Sequence, residues 1–162
     1  MIAQKITNKQ QEQLLKVAPS QDEDMYYRPC CVKLNNGEIL NNVYVVEQES
    51  YIKTWGVMPD ADSAKKHILI ENVVEINESP NRLAPKFANE LYNAGESGMG
   101  YCLFKVIFEN GQKIDIASGN AIDFIPLPEG QTRENVIKVL PHQGSRTNYI
   151  KSLEFYWCLY KK

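Results

Sequence analysis

Residues 31–40 read CVKLNNGEIL, and residues 106–116 read VIFENGQKIDI. Each stretch alternates apolar and polar side chains, breaks at an Asn-Gly pair, and then alternates again. A period of two marks a half-buried strand, and Asn-Gly supplies the positive φ angles that a tight hairpin turn requires. Two β-hairpins, one in each half of the chain, are therefore the frame to which every other segment must attach.

The second strand of the first hairpin continues through NNVYVVEQ, residues 41–48. Residues 50–56, SYIKTWG, predict a third strand, and the polar VMPDADSAKK that follows predicts a loop. HILIENVVEIN, residues 67–77, returns to strand with a break near Glu71-Asn72. After the second hairpin, GNAIDFIPLP (119–128) predicts a short strand ended by two prolines, and ENVIKVLPHQG (134–144) holds one more. The last residues, YIKSLEFYWCLYKK, are aromatic and β-prone. Leu153, Phe155, Trp157 and Leu159 alternate with Glu154, Tyr156, Cys158 and Tyr160, so both faces are largely apolar. Such a strand is expected to close the sheet or to pair with a second copy of the chain as a homodimer.

Two helices stand out by their spacing. Leu83, Phe87 and Leu91 form one stripe, with Lys86, Asn89, Glu90 and Asn93 elsewhere. Pro85 suits the first turn, and Gly95 stands where a helix takes a left-handed terminal residue. Near the start, Ile6, Gln10, Leu14 and Val17 share helical spacing, with Thr7 or Asn8 as cap and Pro19 as stop. Its wide polar face predicts a peripheral helix, and QDEDMYYRP after it reads as a linker.

A weak internal repeat runs through this pattern. Val32–Gly37 echoes Val106–Gly111, and Asn72-Val73-Val74-Glu75-Ile76 echoes Asn120-Ala121-Ile122-Asp123-Phe124. Each of the latter pair is followed four residues later by a proline, Pro80 or Pro128. The expected fold is β-rich α+β: two small antiparallel hairpin-based units bridged by one central helix, plus the peripheral N-terminal helix. The segments are 1–29 (helix and linker), 30–79 (first β unit), 80–100 (bridging helix and glycine loop) and 101–162 (second β unit with the aromatic strand).

The order of strand, Asn-Gly turn, long second strand and closing Asn-apolar-apolar-acid-apolar strand over residues 30–79 resembles small SH3-like or Sm-like barrels. That resemblance implies a binding module, and RNA as a partner in the Sm-like case. The Asp and Asn residues of the Sm-like RNA loop have no counterpart motif here, so no site is carried over. GESGMGY, GNAIDF and LPHQG together are similar to a set of uncharacterised small bacterial proteins, a likeness that implies no activity.

Composition narrows the function classes. The chain has 162 residues, 43% hydrophobic and 23% charged, with a formal net charge of -2. A chain this long buries roughly 70% of its unfolded surface and needs no disulfide or metal to fold. The charge balance gives no general pull toward nucleic acid or anionic lipid. No apolar run reaches the ~20 residues of a membrane span, and the first twenty residues lack a signal-peptide core. A cytoplasmic protein is expected, without membrane association. Cys30 and Cys31 are adjacent, Cys102 and Cys158 stand alone, and no C-x-x-C occurs, so all four are expected as reduced thiols.

GESGMGYC, residues 95–102, invites a catalytic reading. A serine elbow is G-x-S-x-G between a strand and a following helix. Here Gly95-Glu96-Ser97-Gly98-Met99 lacks the last glycine, and the helix comes first. The loop lies at the negative end of the helix dipole, the wrong end for an oxyanion or a phosphate. The glycines are read instead as a helix stop and a turn into the strand at Tyr101. Cys102 alternates within a strand and is read as packed rather than nucleophilic, and His142, between proline and glycine, as an exposed loop residue. The histidines and cysteines show no paired ligand spacing, so no metal and no cofactor is expected. Glu75, Glu78, Asp115 and Asp123 are read as solvent-facing acids.

Three readings of function remain. The first is a small binding protein acting by protein contact, of inhibitor or immunity type, without catalytic chemistry of its own. Its candidate surface is Glu96, Ser97 and Met99, with His142, Arg146 and exposed Tyr51 and Trp55. The second is an RNA-binding Sm-like or SH3-like module, for which Tyr26, Tyr27, Arg28, Tyr51, Lys53 and Trp55 offer aromatics near cations. The third is an enzyme using His142 with Glu96 or Ser97, which requires those residues to converge.

Overall fold

Both Asn-Gly hairpins form, and they repeat each other bond for bond. In the first, Leu34 N–H donates to Glu38 O at 2.8 Å and Gly37 N–H to Leu34 O at 2.9 Å. In the second, Phe108 N–H donates to Gln112 O and Gly111 N–H to Phe108 O, each at 2.9 Å. Asn36 and Asn110 each accept, through Oδ1, the N–H two residues on. Gly37 and Gly111 hold φ of 90° and 88°, a region that penalises a side chain.

The computed structural model describes residues 3–162. Its helices are α1 (Asn8–Leu15), α2 (Gln48–Trp55) and α3 (Pro85–Ala94). The strands of the first half are β1 (Ser20–Asp22), β2 (Met25–Tyr27), β3 (Pro29–Leu34), β4 (Ile39–Glu47), β5 (Lys66–Leu69) and β6 (Val73–Glu78). Those of the second half are β7 (Cys102–Phe108), β8 (Lys113–Ser118), β9 (Val136–Pro141), β10 (Ile150–Lys151) and β11 (Tyr156–Tyr160). The protein is thus strand-rich α+β with sheets of five, four and two strands, and no closed barrel forms among the described residues.

The chain folds into two units. One comprises the chain up to Pro19, Asp24–Ser79 and Phe155–Lys162; the other comprises Ser20–Glu23 and Pro80–Glu154. The first carries the sheet β5-β11-β4-β3-β6, and the second carries β10-β8-β7-β9. Helix α3 and the glycine loop belong to the second unit and α1 to the first, so α3 is not the separate bridging segment that the sequence suggested.

Within each unit the same plan recurs. β3 pairs antiparallel with β4 and β6, and β7 with β8 and β9. A 3-10 turn precedes β6 (Ile70–Asn72) and another precedes β9 (Arg133–Asn135). Asn72 O accepts Asn35 N–H, and Asn135 O accepts Glu109 N–H, both at 2.8 Å. A register shift follows at Lys33/Leu34 and at Ile107/Phe108. On the far side of each hairpin a strand runs parallel: β11 beside β4, β10 beside β8. The counterpart of Glu71-Asn72-Val73-Val74 is therefore Glu134-Asn135-Val136-Ile137. The stretch from Asn120 to Phe124 makes only an isolated bridge, Arg82 with Phe124. Pro126 and Pro128 remove the amides that a strand of GNAIDFIPLP would need.

Two further expectations are overturned. SYIKTWG is helical: Glu47 accepts the N–H groups of Glu49 and Ser50 at 3.1 and 3.0 Å, and Gly56 ends α2 with φ 86°. Nor is α1 peripheral. Gln10, Leu14 and Val17 are buried, Gln10 Nε2 donates to Ile70 O and Val73 O, and Gln13 Oε1 accepts Ile76 N–H at 2.9 Å. The helix is stitched onto the turn that introduces β6.

The first core is built from Leu14, Val17, Cys30, Val32, Val43, Val45, Ile70, Val73, Ile76 and Cys158. On β11, Trp157 is 2% exposed and is ringed by Tyr27, Tyr44, Tyr51, Trp55 and Phe155, with ring centroids 4.9–6.2 Å away. Hydrogen-bonded to β4 on one edge and β5 on the other, β11 lies inside the sheet rather than at its edge, so its own edges are not open to strand pairing with a second copy. All four cysteines are free. Among the described residues, no helix is long and apolar enough to cross a membrane.

Candidate functional site

The apolar stripe of α3 fixes where its end falls. Phe87, Ala88, Leu91 and Tyr92 are buried, Pro85 occupies the first turn, and Gly95 breaks the helix with φ 76°. The chain then makes a tight turn in which Ser97 N–H donates to Tyr101 O at 2.9 Å and Gly100 N–H to Glu96 Oε2 at 3.1 Å. A side chain at Gly98 would force the Tyr101 ring to move, since a Cβ would sit 2.3 Å from it.

The turn is locked to the loop after β9. His142, itself at φ 61°, donates its backbone N–H to Leu103 O at 2.8 Å. Its Nδ1 lies 2.8 Å from Ser97 Oγ, and its Nε2 lies 3.0 Å from Ala94 O. Ala94 O can only accept, so in the neutral ring Nε2 carries the proton and Nδ1 accepts from the Ser97 hydroxyl. Ser97 Oγ in turn accepts Leu103 N–H at 2.8 Å. One serine and one histidine thereby tie together the end of α3, the start of β7 and the end of β9.

Arg146 extends the same surface. Its Nη1 donates to Tyr101 OH at 2.7 Å. The loop around it is anchored by Asp115, which accepts Ser145 N–H at 2.9 Å and the Lys105 ammonium at 2.6 Å. These two donors, Lys105 first, hold the Asp115 carboxyl below its ordinary value. Ser145 Oγ then accepts the N–H groups of Thr147 and Asn148. Out of this platform stands Met99, 98% exposed. Glu96, Ser97, Met99, His142 and Arg146 therefore lie on one locked pair of loops.

Tyr51 and Trp55 do not join them. Tyr51 is fully buried and Trp55 half-buried, because α2 turns both rings toward Trp157. Lys65 covers them, 2.9 Å from Tyr51 OH and 4.1 Å from the Trp55 ring centroid. Burial pushes the Tyr51 hydroxyl up and pulls the Lys65 ammonium down. The first unit uses these residues as core, not as a free surface.

Cys102 is half-buried, and burial, then the charges of Glu96 and Asp22, push its thiol up. A nucleophilic cysteine needs the opposite. Asp123, expected on a solvent face, is fully buried and accepts hydroxyls from Ser20 and Tyr92; Tyr92 OH also accepts Ile122 N–H at 3.2 Å. Its place within the sequence IDFIP carried no sign of this, since both hydroxyl partners are remote in the chain. In the sequence Tyr101 reads only as the start of a strand and Asp115 as a solvent-facing acid, yet Tyr101 accepts from Arg146 and Asp115 from Lys105 and Ser145, and both hold the platform. Among the described residues no group of three His, Cys, Asp or Glu side chains is placed to hold a metal ion. The chain matches no family model, no curated protein and no solved structure.

Proposed function

We propose that the protein is a binding module that acts by protein contact through the surface of Glu96, Met99, Tyr101, His142 and Arg146. The observation that carries this reading is the exposure of Met99, at 98%, on loops whose polar groups are already tied down. An unbranched thioether adapts to many apolar pockets, and a pre-ordered loop loses little entropy when it docks. Arg146 and Glu96 supply a charged rim around the apolar centre, the usual anatomy of an interface. An inhibitor-like role, plugging a partner's pocket with one protruding side chain, fits this shape.

The Ser97–His142 pair also supports a hydrolase reading, but three features favour the clamp. The ring's second nitrogen meets a backbone carbonyl rather than a carboxylate. Ser97 Oγ already accepts a backbone amide. The end of α3 turns carbonyls toward the pair, which opposes an oxyanion. For the RNA reading, the buried Tyr51 and half-buried Trp55 leave fewer aromatics to stack with bases.

The test is affinity capture from host lysate with wild type, Met99→Asp and Arg146→Glu, each with and without nuclease. A partner held by wild type, resistant to nuclease and lost with Met99→Asp supports the reading. A partner that Met99→Asp retains, or material released by nuclease, overturns it.

A further inference from the structure

Arg28 presents a problem of charge. It is half-buried in the first unit, where its Nη1 donates to Val17 O, just past the end of α1, and more weakly to Leu14 O in the last turn of that helix. Those partners are neutral and engage one nitrogen of five N–H donors. Among the described residues, no carboxylate forms an ion pair with Arg28. Removing a charge from water without a counter-ion is costly, so a guanidinium in this position is suited to an anion supplied from outside.

Space for one adjoins it. A cleft of about 320 Å³ is lined by Arg28 and Lys162 together with Leu14, Leu15, Tyr26, Val45 and Tyr160. This volume lies at the lower end of the range for small-molecule sites. Its lining is apolar at the base, where Leu14 and Val45 are buried, and Leu15 and Tyr26 stand 61% and 56% exposed. Glu47 also lines the cleft, its carboxylate occupied by the Glu49 and Ser50 amides and the Ser50 hydroxyl. Arg28, Lys162 and Glu47 together leave the side chains of the cleft with one net positive charge, which matches a monoanion better than a dianion.

We propose that this cleft binds a small monocarboxylate with an apolar body, the carboxylate on Arg28 and the body against Leu14, Leu15 and Tyr26. The site is independent of the Met99 surface.

The experiment is an NMR titration of the ¹⁵N-labelled full chain with phenylbutyrate and octanoate, set against phenylbutanamide and inorganic phosphate. Expected are saturable shifts of the Leu14, Val46 and Tyr160 amides with a carboxylate, and binding about tenfold weaker or more for the neutral amide. Leu15→Glu places a second negative charge at the mouth and should weaken the carboxylates at least as much. Because Leu15 is largely exposed, that variant keeps the fold even if Arg28→Ala, which uncaps α1, does not. No saturable shift with either carboxylate up to ~10 mM overturns the proposal. So does equal binding of amide or phosphate, or an unchanged affinity in Leu15→Glu.

Discussion

Ser97 Oγ and His142 Nδ1 are 2.8 Å apart although 45 residues separate them in the chain. The pair closes a ring of hydrogen bonds whose other members are backbone: Ala94 O, Leu103 N–H and Leu103 O. Catalytic dyads are held by a third group so that the serine is left to react, whereas here the serine is itself one of the holders. This makes the pair a fastener for the surface that carries Met99.

The first expected outcome follows. Ser97→Ala removes the Leu103 amide's acceptor and the His142 ring's donor together, and should cost about 1–3 kcal/mol in urea unfolding. Amide exchange should rise locally at residues 96–103, while an active-serine fluorophosphonate probe should label neither wild type nor variant. Wild-type labelling lost in Ser97→Ala would restore the hydrolase reading.

A second outcome concerns Gly98. With a Cβ only 2.3 Å from the Tyr101 ring, Gly98→Ala must displace that ring and the Arg146 bond to its hydroxyl. Overpacking of this kind costs about 1–3 kcal/mol. Capture of a partner should fall in Gly98→Ala more than in Tyr101→Phe, which keeps the ring and loses only one hydrogen bond.

What could be read in advance divides along the range of the interactions. The hairpins were legible because Asn36-Gly37 and Asn110-Gly111 encode their turns within four residues. So was α3, whose stripe, proline and glycine are all local. Helix α2 was not, since Tyr51, Ile52 and Trp55 have strand-like character and its cap is the less usual Glu47. The repeat was seen but misaligned at its third strand, because Asn120–Phe124 imitates the pattern while Asn135 makes the backbone bond that defines it. The place of β11 between β4 and β5 depends on pairing across most of the chain, and no local signal specifies it. At the candidate site, Ser97 and His142 were each noticed for their types, but their meeting required the antiparallel register of β7 with β9.

A third outcome tests the buried Asp123. Tyr92→Phe removes a hydroxyl that donates to that carboxylate and accepts the Ile122 amide. The Ile122 amide loses its acceptor and Asp123 loses one of its donors in a fully buried setting, for a loss of about 1.5–3 kcal/mol by denaturant unfolding. A loss below ~0.5 kcal/mol would mean that the Asp123 network contributes little to stability.

A fourth uses the thiols. Cys30 and Cys158 are buried, and burial, before the neighbouring Cys30, pushes the Cys158 thiol up. Cys31 and Cys102 are only half-buried. Under native conditions Ellman's reagent should modify those two at least tenfold faster than the buried pair, which wait on opening of the fold. Equal rates would show that β3 and β11 open as readily as the surface.

The last concerns acid. Asp115 is depressed below its ordinary value of 3.8 by the Lys105 ammonium and then the Ser145 amide. A carboxyl that binds its proton less readily folded than unfolded stabilises the fold above the unfolded value. That stabilisation falls away as the pH descends through the lower folded value. Wild type should therefore lose stability between about pH 4 and pH 2 more steeply than Asp115→Asn, whose amide does not titrate. At pH 7 the order reverses the cost: the variant is the weaker, since it has lost the charge that pairs with Lys105. Because Asp115 also anchors Ser145 beside Arg146, the amides of residues 144–148 should show the transition first. Chemical shifts followed from pH 6 downward would settle it, and a midpoint there at or above the ordinary value would show that the Lys105 pair does not hold the loop.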